Sequence, residues 1–99
     1  MNKEITVNNE AEFQQMLDNK DFKIAEIIVD SILNNLDSTK QHIHIMSINC
    51  FEENITYDIT LEKKHFKGVL QENLKYFIER ELYEKCSKIV DIINTLNEE

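Results

Sequence analysis

Three histidines, His42, His44 and His65, and two cysteines, Cys50 and Cys86, are the side chains of this 99-residue chain best suited to metal or nucleophile chemistry. His42 and His44 stand two apart in "QHIHIMSIN", which turns both imidazoles to one side of a strand, where a converging third ligand would let them share a zinc ion. Cys50 and Asp58 are the nearest further donors. No third ligand falls at a familiar spacing, so the pair reads as two half-exposed strand histidines, and no metal or other cofactor is expected. Cys50 with His42 or His44 as its base lacks any supporting signature for a nucleophile. The chain is expected not to be an enzyme, and no catalytic residue is assigned.

Two charged groups bear on binding. "KKHFK" (Lys63, Lys64, His65, Lys67) falls at an expected helix start, where positive charge opposes the helix dipole while the free amides point at any bound phosphate. That cluster supports one reading, a small protein that binds an anionic ligand such as a nucleotide. Gly68, the only glycine, cannot build a phosphate loop. The other group is acidic: Glu72, Glu79, Glu81, Glu84 and Asp91 would line a helical face, and these are the expected partner-binding residues.

The chain carries 11 basic against 19 acidic residues, a net charge of -8, which argues against direct nucleic-acid binding because phosphate contacts need Lys and Arg in excess. Acidity of this kind suits a partner with a basic surface. At 41% apolar and 30% charged the composition is that of a soluble globular chain, and its length suits a single domain over residues 1–99. No apolar run reaches membrane-spanning length and the amino terminus lacks a secretory apolar stretch, so a cytoplasmic location is expected. Two cysteines without CxxC spacing read as reduced, partly buried thiols. Abundant Lys, Ile and Asn beside no Pro and one Gly read as AT-rich coding sequence, in keeping with a low-GC bacterium or its phage.

The elements that would position these residues follow from hydrophobic period. "NKEITV" is a minimal strand. Asn9 can cap a first helix with Glu12 reaching back, and Phe13, Met16 and Leu17 give it one apolar face. "DNKD" (18–21) interrupts, and Asp21 can cap a second helix carrying Phe22, Ala25, Ile28, Val29, Ile32 and Leu36. "ITYDITLE" alternates strictly, as a strand with one wet face does, and pairs antiparallel with 42–50 across a loop at "EEN". Ile43 and Ile45 lie on one face of the earlier strand and Met46 and Ile48 on the other, so a bulge or second buried surface is expected near Met46 to Ile48. From Phe66 to Leu96 the helical period returns, and residues 70, 74, 78, 82, 86, 89, 93 and 96 would also make one unbroken seam along a single long helix needing a coiled-coil partner.

A repeat argues for a break instead. At an offset of 61, Ile28 falls on Ile89, Val29 on Val90, Asp30 on Asp91 and Ile32 on Ile93, with Phe22 on Tyr83 and Ala25 on Cys86. If the first copy turns at "DNKD", the second turns at "ERE" (79–81). "NLKYFIERELYEKCSKIVDIINTL" (73–96) also resembles the UVR-type helical hairpin, known from the ends of the excision-repair proteins UvrB and UvrC. Tyr83 and Glu84 match its aromatic-Glu step, Cys86 and Ser87 its small pair, Ile89 its apolar position and Asp91 its Asp, whereas Val90 stands where the family has Arg. The resemblance implies a non-catalytic hairpin that contacts another protein; it does not imply DNA repair.

The expected fold is therefore α+β: an antiparallel β-hairpin (42–50 and 55–62) flanked by helical hairpins at 10–37 and 66–97. A two-stranded sheet is marginal, so "EITV" or a second subunit in a homodimer should complete it. The expected function is a small cytosolic protein-binding module, such as a phage or mobile-element accessory factor. One form of it is an inhibitor whose carboxylates imitate nucleic acid before a basic cleft.

Overall fold

A computed structural model of the chain describes residues 4–19 and 21–96. The elements run β1 (Glu4–Val7), α1 (Glu10–Asp18), α2 (Phe22–Asn34), β2 (His42–Cys50), β3 (Ile55–Glu62), α3 (Phe66–Glu79) and α4 (Tyr83–Leu96), an α+β fold. A short 3-10 turn, Lys63–His65, links β3 to α3. Asn2, Lys3, Lys20 and Asn97, which the expected elements included, lie outside the described residues. The chain divides into two compact units, Met1–Lys63 and Lys64–Glu99.

In the first unit the sheet has the order β1-β2-β3, with β1 parallel and β3 antiparallel to β2. The amino-terminal strand thus supplies the third strand. A parallel pair needs a crossover of a dozen or more residues, and here α1 and α2 supply it. Asn9 caps α1 through its side-chain oxygen, which accepts from the Glu12 amide at 3.0 Å. Glu12 itself accepts from the Asn8 side-chain amide at 2.9 Å instead of returning to the Asn9 backbone. Asp21 caps α2 by accepting from the Lys23 amide at 2.9 Å. The turn at Phe51–Asn54 reaches toward the same end: the Glu53 carboxylate accepts from the Glu10 amide at 3.1 Å, placing negative charge at the start of α1 where the dipole favours it.

The core of this unit lies on one side of the sheet. Ile24, Ala25, Ile27, Val29 and Ile32 of α2 are buried, as are Ile5 and Val7 of β1 and Ile43, Ile45, Met46, Ile48 and Cys50 of β2. A register shift between His44 and Met46 leaves Ile45 without a partner on β3. This is the expected bulge, one residue earlier than the sequence pattern alone would put it, because the extra residue has to precede Met46 for Met46 and Ile48 to face inward after Ile43 and Ile45. α2 packs on β2 and α1 on β1.

In the second unit α3 and α4 pack along one another. The chain doubles back at Arg80–Leu82, so the long-helix alternative does not form. Glu81 takes a left-handed conformation, φ 58°. Its amide donates to the Ile78 carbonyl at 2.9 Å, and the Leu82 amide donates to the Phe77 carbonyl at 3.0 Å. These two bonds close α3 as a Schellman motif. Phe66, Leu70 and Phe77 are the buried residues of α3, and Cys86, Ile89 and Ile93 those of α4.

Candidate functional site

The expected partner-binding carboxylates all lie in the second unit, and all are exposed. Glu72 and Glu79 are seven apart on α3, as are Glu84 and Asp91 on α4, so each pair shares a stripe opposite its helix's buried residues. Lys75 interrupts the first stripe, its ammonium 5.3 Å from the centre of the Tyr76 ring, and Lys88 interrupts the second. Glu81 belongs to neither stripe, since it occupies the turn. Glu79, Glu81 and Glu84 follow closely along the chain around the reversal, with Arg80 and Lys85 between and beside them.

Apolar residues gather there as well. Ile78, Leu82 and Tyr83 are exposed large hydrophobics, Tyr83 at 62%, and Val90 continues the Tyr83 flank of α4 two turns on. A shallow cleft of about 350 Å³ is lined by Glu81, Leu82, Tyr83, Glu84 and Lys85. Ile78, Leu82, Tyr83 and Val90 belong to the apolar pattern in the sequence and so were expected on a buried face. Ile78 follows Phe77, the last buried residue of α3, while Leu82 and Tyr83 fall in the turn and at the start of α4, ahead of Cys86, the first buried residue of that helix. Val90 sits beside Ile89 at the margin of the buried stripe of α4. The signal that could have found them is the turn itself, since a charged triplet (Glu79, Arg80, Glu81) flanked by apolar residues leaves the latter at a helix end.

The histidines form no metal centre: among the described residues no three His, Cys, Asp or Glu side chains converge to hold an ion. His42 pairs with Glu62 at 3.8 Å and His44 with Asp58 at 3.2 Å, each across the β2–β3 ladder. Cys50 is buried on the other face of the sheet from these histidines, and His65 stands at the start of α3 without a side-chain cap bond.

Ser47, which the sequence reading did not single out, joins His44 and Asp58. The bulge at Ile45 carries Ser47 onto the face of His44, opposite Asp58 in the ladder. Its hydroxyl donates to Asp58 Oδ1 at 2.7 Å, and His44 Nε2 lies 3.2 Å from both oxygens. In a nucleophilic relay the imidazole stands between hydroxyl and carboxylate and uses a different nitrogen for each. Here one nitrogen faces both and the hydroxyl proton goes to the carboxylate, so the cluster steadies Asp58 and does not activate Ser47. The Ser47 hydrogen bond, then that of His44, holds the Asp58 carboxyl below its ordinary range.

The basic cluster is divided. Lys63 belongs to the first unit, where its ammonium donates to the Ser38 carbonyl and its amide to the Gln41 carbonyl at 2.8 Å, tying the end of β3 to the α2–β2 connection. Lys64, His65 and Lys67 belong to the second. A polar cleft of about 560 Å³ in the first unit is lined by Asp30, Asn34, Ser38, Lys40, His42 and His44, among others.

No family model, curated protein or solved structure matches the chain. Among the described residues no helix is long and apolar enough to cross a membrane.

Proposed function

We propose that this is a small non-catalytic protein of the cytoplasm that acts by binding another protein through the reversal between α3 and α4. The observation that carries the reading is the coincidence at one turn of exposed apolar side chains, Ile78, Leu82 and Tyr83, with the carboxylates of Glu79, Glu81 and Glu84. Apolar anchors with an aromatic at the centre and a charged rim are the usual anatomy of a protein contact, and Tyr is among the residues that most often carry its energy. The carboxylates select a partner with a basic rim around an apolar pocket, in keeping with the overall negative charge. The likeness of 73–96 to UVR-type hairpins supports the same role.

Mimicry of nucleic acid is the weaker form of this reading, because Lys75 and Lys88 break the acidic stripes of α3 and α4. The nucleotide-binding alternative gains no support from Lys63, whose ammonium is engaged by a backbone carbonyl. The test is capture from a low-GC bacterial lysate with the wild-type chain and with Tyr83→Ser, Leu82→Ser and Glu26→Lys, the last an exposed residue of α2. A specific partner should lose about tenfold or more in affinity with either turn variant and nothing with Glu26→Lys. Equal capture by all four chains would remove the turn from consideration.

A further inference from the structure

The outer edge of β3 is the other surface that asks for an occupant, and it lies in the first unit, independent of the turn just described. Among the described residues β2 is the one strand that pairs with β3, so the other edge of this eight-residue strand carries no strand partner. Natural edges are blunted by Pro, by charge (above all Lys or charges pointing inward) or by a bulge on the edge strand. "ITYDITLE" has no Pro and no Lys, its two charges, Asp58 and Glu62, stand on the wet face beside Ser47 and His42, and the bulge of this sheet lies in β2. Its apolar face is also unfinished. Ile55, Tyr57, Ile59 and Leu61 continue the covered face of β2 in register with Cys50, Ile48, Met46 and Ile43, yet Ile55 is 44% and Tyr57 39% exposed. Tyr57 and Ile59 line a cleft of about 250 Å³ with Phe13, Ile48 and Cys50.

We infer that the occupant is a second copy of this chain, its β3 paired antiparallel with the first about a two-fold axis at Ile59. The strand's own sequence supplies the argument. With Ile59 opposite its symmetry mate, residues 56 to 62 pair so that Tyr57 meets Leu61 on the apolar face, while on the wet face Asp58 meets Thr60 and Thr56 meets Glu62. No like charges stand opposite each other. Centring the pair on Asp58 sets two carboxylates face to face, and centring it on Thr60 sets Asp58 against Glu62, each destabilising. Centring on Tyr57 shortens the ladder to 55–59, and a slip of one residue puts Asp58 beside Ile59 and mixes the faces. The sequence is thus self-complementary in one full-length register. It joins two three-stranded sheets into one continuous sheet with both covered faces on the same side.

A single strand pair buries less than the roughly 1,200 Å² of a tight complex, so association on the order of micromolar is expected. Sedimentation equilibrium of the full chain should show the mass rising from one chain to two between about 1 and 100 µM. Ile59→Lys, which opposes two ammonium groups on the axis, should keep the circular dichroism of the wild type and stay monomeric. The register has its own test, which stands whether or not that variant folds: on mild oxidation Ile59→Cys should form a disulfide-linked dimer and Thr60→Cys should not, since Thr60 faces Asp58 of the other copy and not itself. A wild-type chain monomeric throughout, a dimer indifferent to Ile59→Lys, or equal cross-linking of the two cysteine variants would overturn the assignment. So would β3 amides that gain protection from exchange only when an extended basic peptide is added.

Discussion

The Leu82 amide donates to the Phe77 carbonyl at 3.0 Å, and 61 residues earlier the Asp21 amide donates to the Met16 carbonyl at 3.1 Å. The same offset carries the last residue of α1, Asp18, onto that of α3, Glu79, and the first residue of α2, Phe22, onto that of α4, Tyr83. The repeat in the sequence is therefore a repeat of helix, three-residue break and helix, closed by the same six-to-one hydrogen bond. The surroundings then diverge, because the first pair of helices lies on the strands and the second pair packs on itself.

Glu81 is the residue most strained by this arrangement. It holds a left-handed conformation, φ 58°, at the position where helices most often place glycine, and a side chain there costs about 1 kcal/mol. Glu81→Gly should raise the stability measured by urea unfolding by about 0.5–1 kcal/mol, with no change in helical content.

Val29 and Val90 occupy equivalent positions of the repeat, yet Val29 is 0% and Val90 40% exposed. Truncating the first should cost about 2 kcal/mol by lost burial and an unfilled cavity, and truncating the second less than about 0.5 kcal/mol. Paired unfolding curves of Val29→Ala and Val90→Ala check this.

Asp58 predicts an acid dependence. Its carboxyl is held below the ordinary range chiefly by the Ser47 hydroxyl and next by His44. A carboxyl lowered in this way adds stability that is complete above the unfolded value of about pH 4 and is lost as pH falls through the lower folded value. In denaturant titrations from neutral pH downward, Ser47→Ala should weaken that loss, as should Asp58→Asn.

Cys50 and Tyr57 predict an alkaline counterpart. Burial first, then the Glu53 and Glu10 carboxylates, push the Cys50 thiol up; Glu10 first, then burial, push up the Tyr57 phenol. Groups raised in the folded state add stability that is full below their unfolded values, about pH 8.5 and 10, and is lost as pH rises through the folded ones. Both cysteines are free and buried, so a thiol reagent at neutral pH should modify them no faster than the chain opens.

Much of the fold was legible because period and caps agreed. Strict alternation placed β3, the asparagine and aspartate caps placed the starts of α1 and α2, and the 61-residue offset placed a turn at 79–81, one residue ahead of the observed break at 80–82. Exposure was less legible. Periodicity alone does not tell that Val29 faces a sheet while its counterpart Val90 faces solvent, or that Ile78 lies beyond the end of the buried stripe. The Ser47, His44 and Asp58 cluster was hidden because it depends on one unpaired residue, Ile45, shifting the phase of β2. The acidic residues were legible as types, and Glu79, Glu81 and Glu84 as near neighbours along the chain, whereas the αL conformation of Glu81 was not legible.

Amide hydrogen exchange on the complex with a captured partner tests the central claim most directly. Binding should slow exchange through Ile78 to Lys85, with the amides of β1 and β2 unchanged. Protection confined to any other stretch of the chain, with 78–85 exchanging as in the free protein, would contradict it.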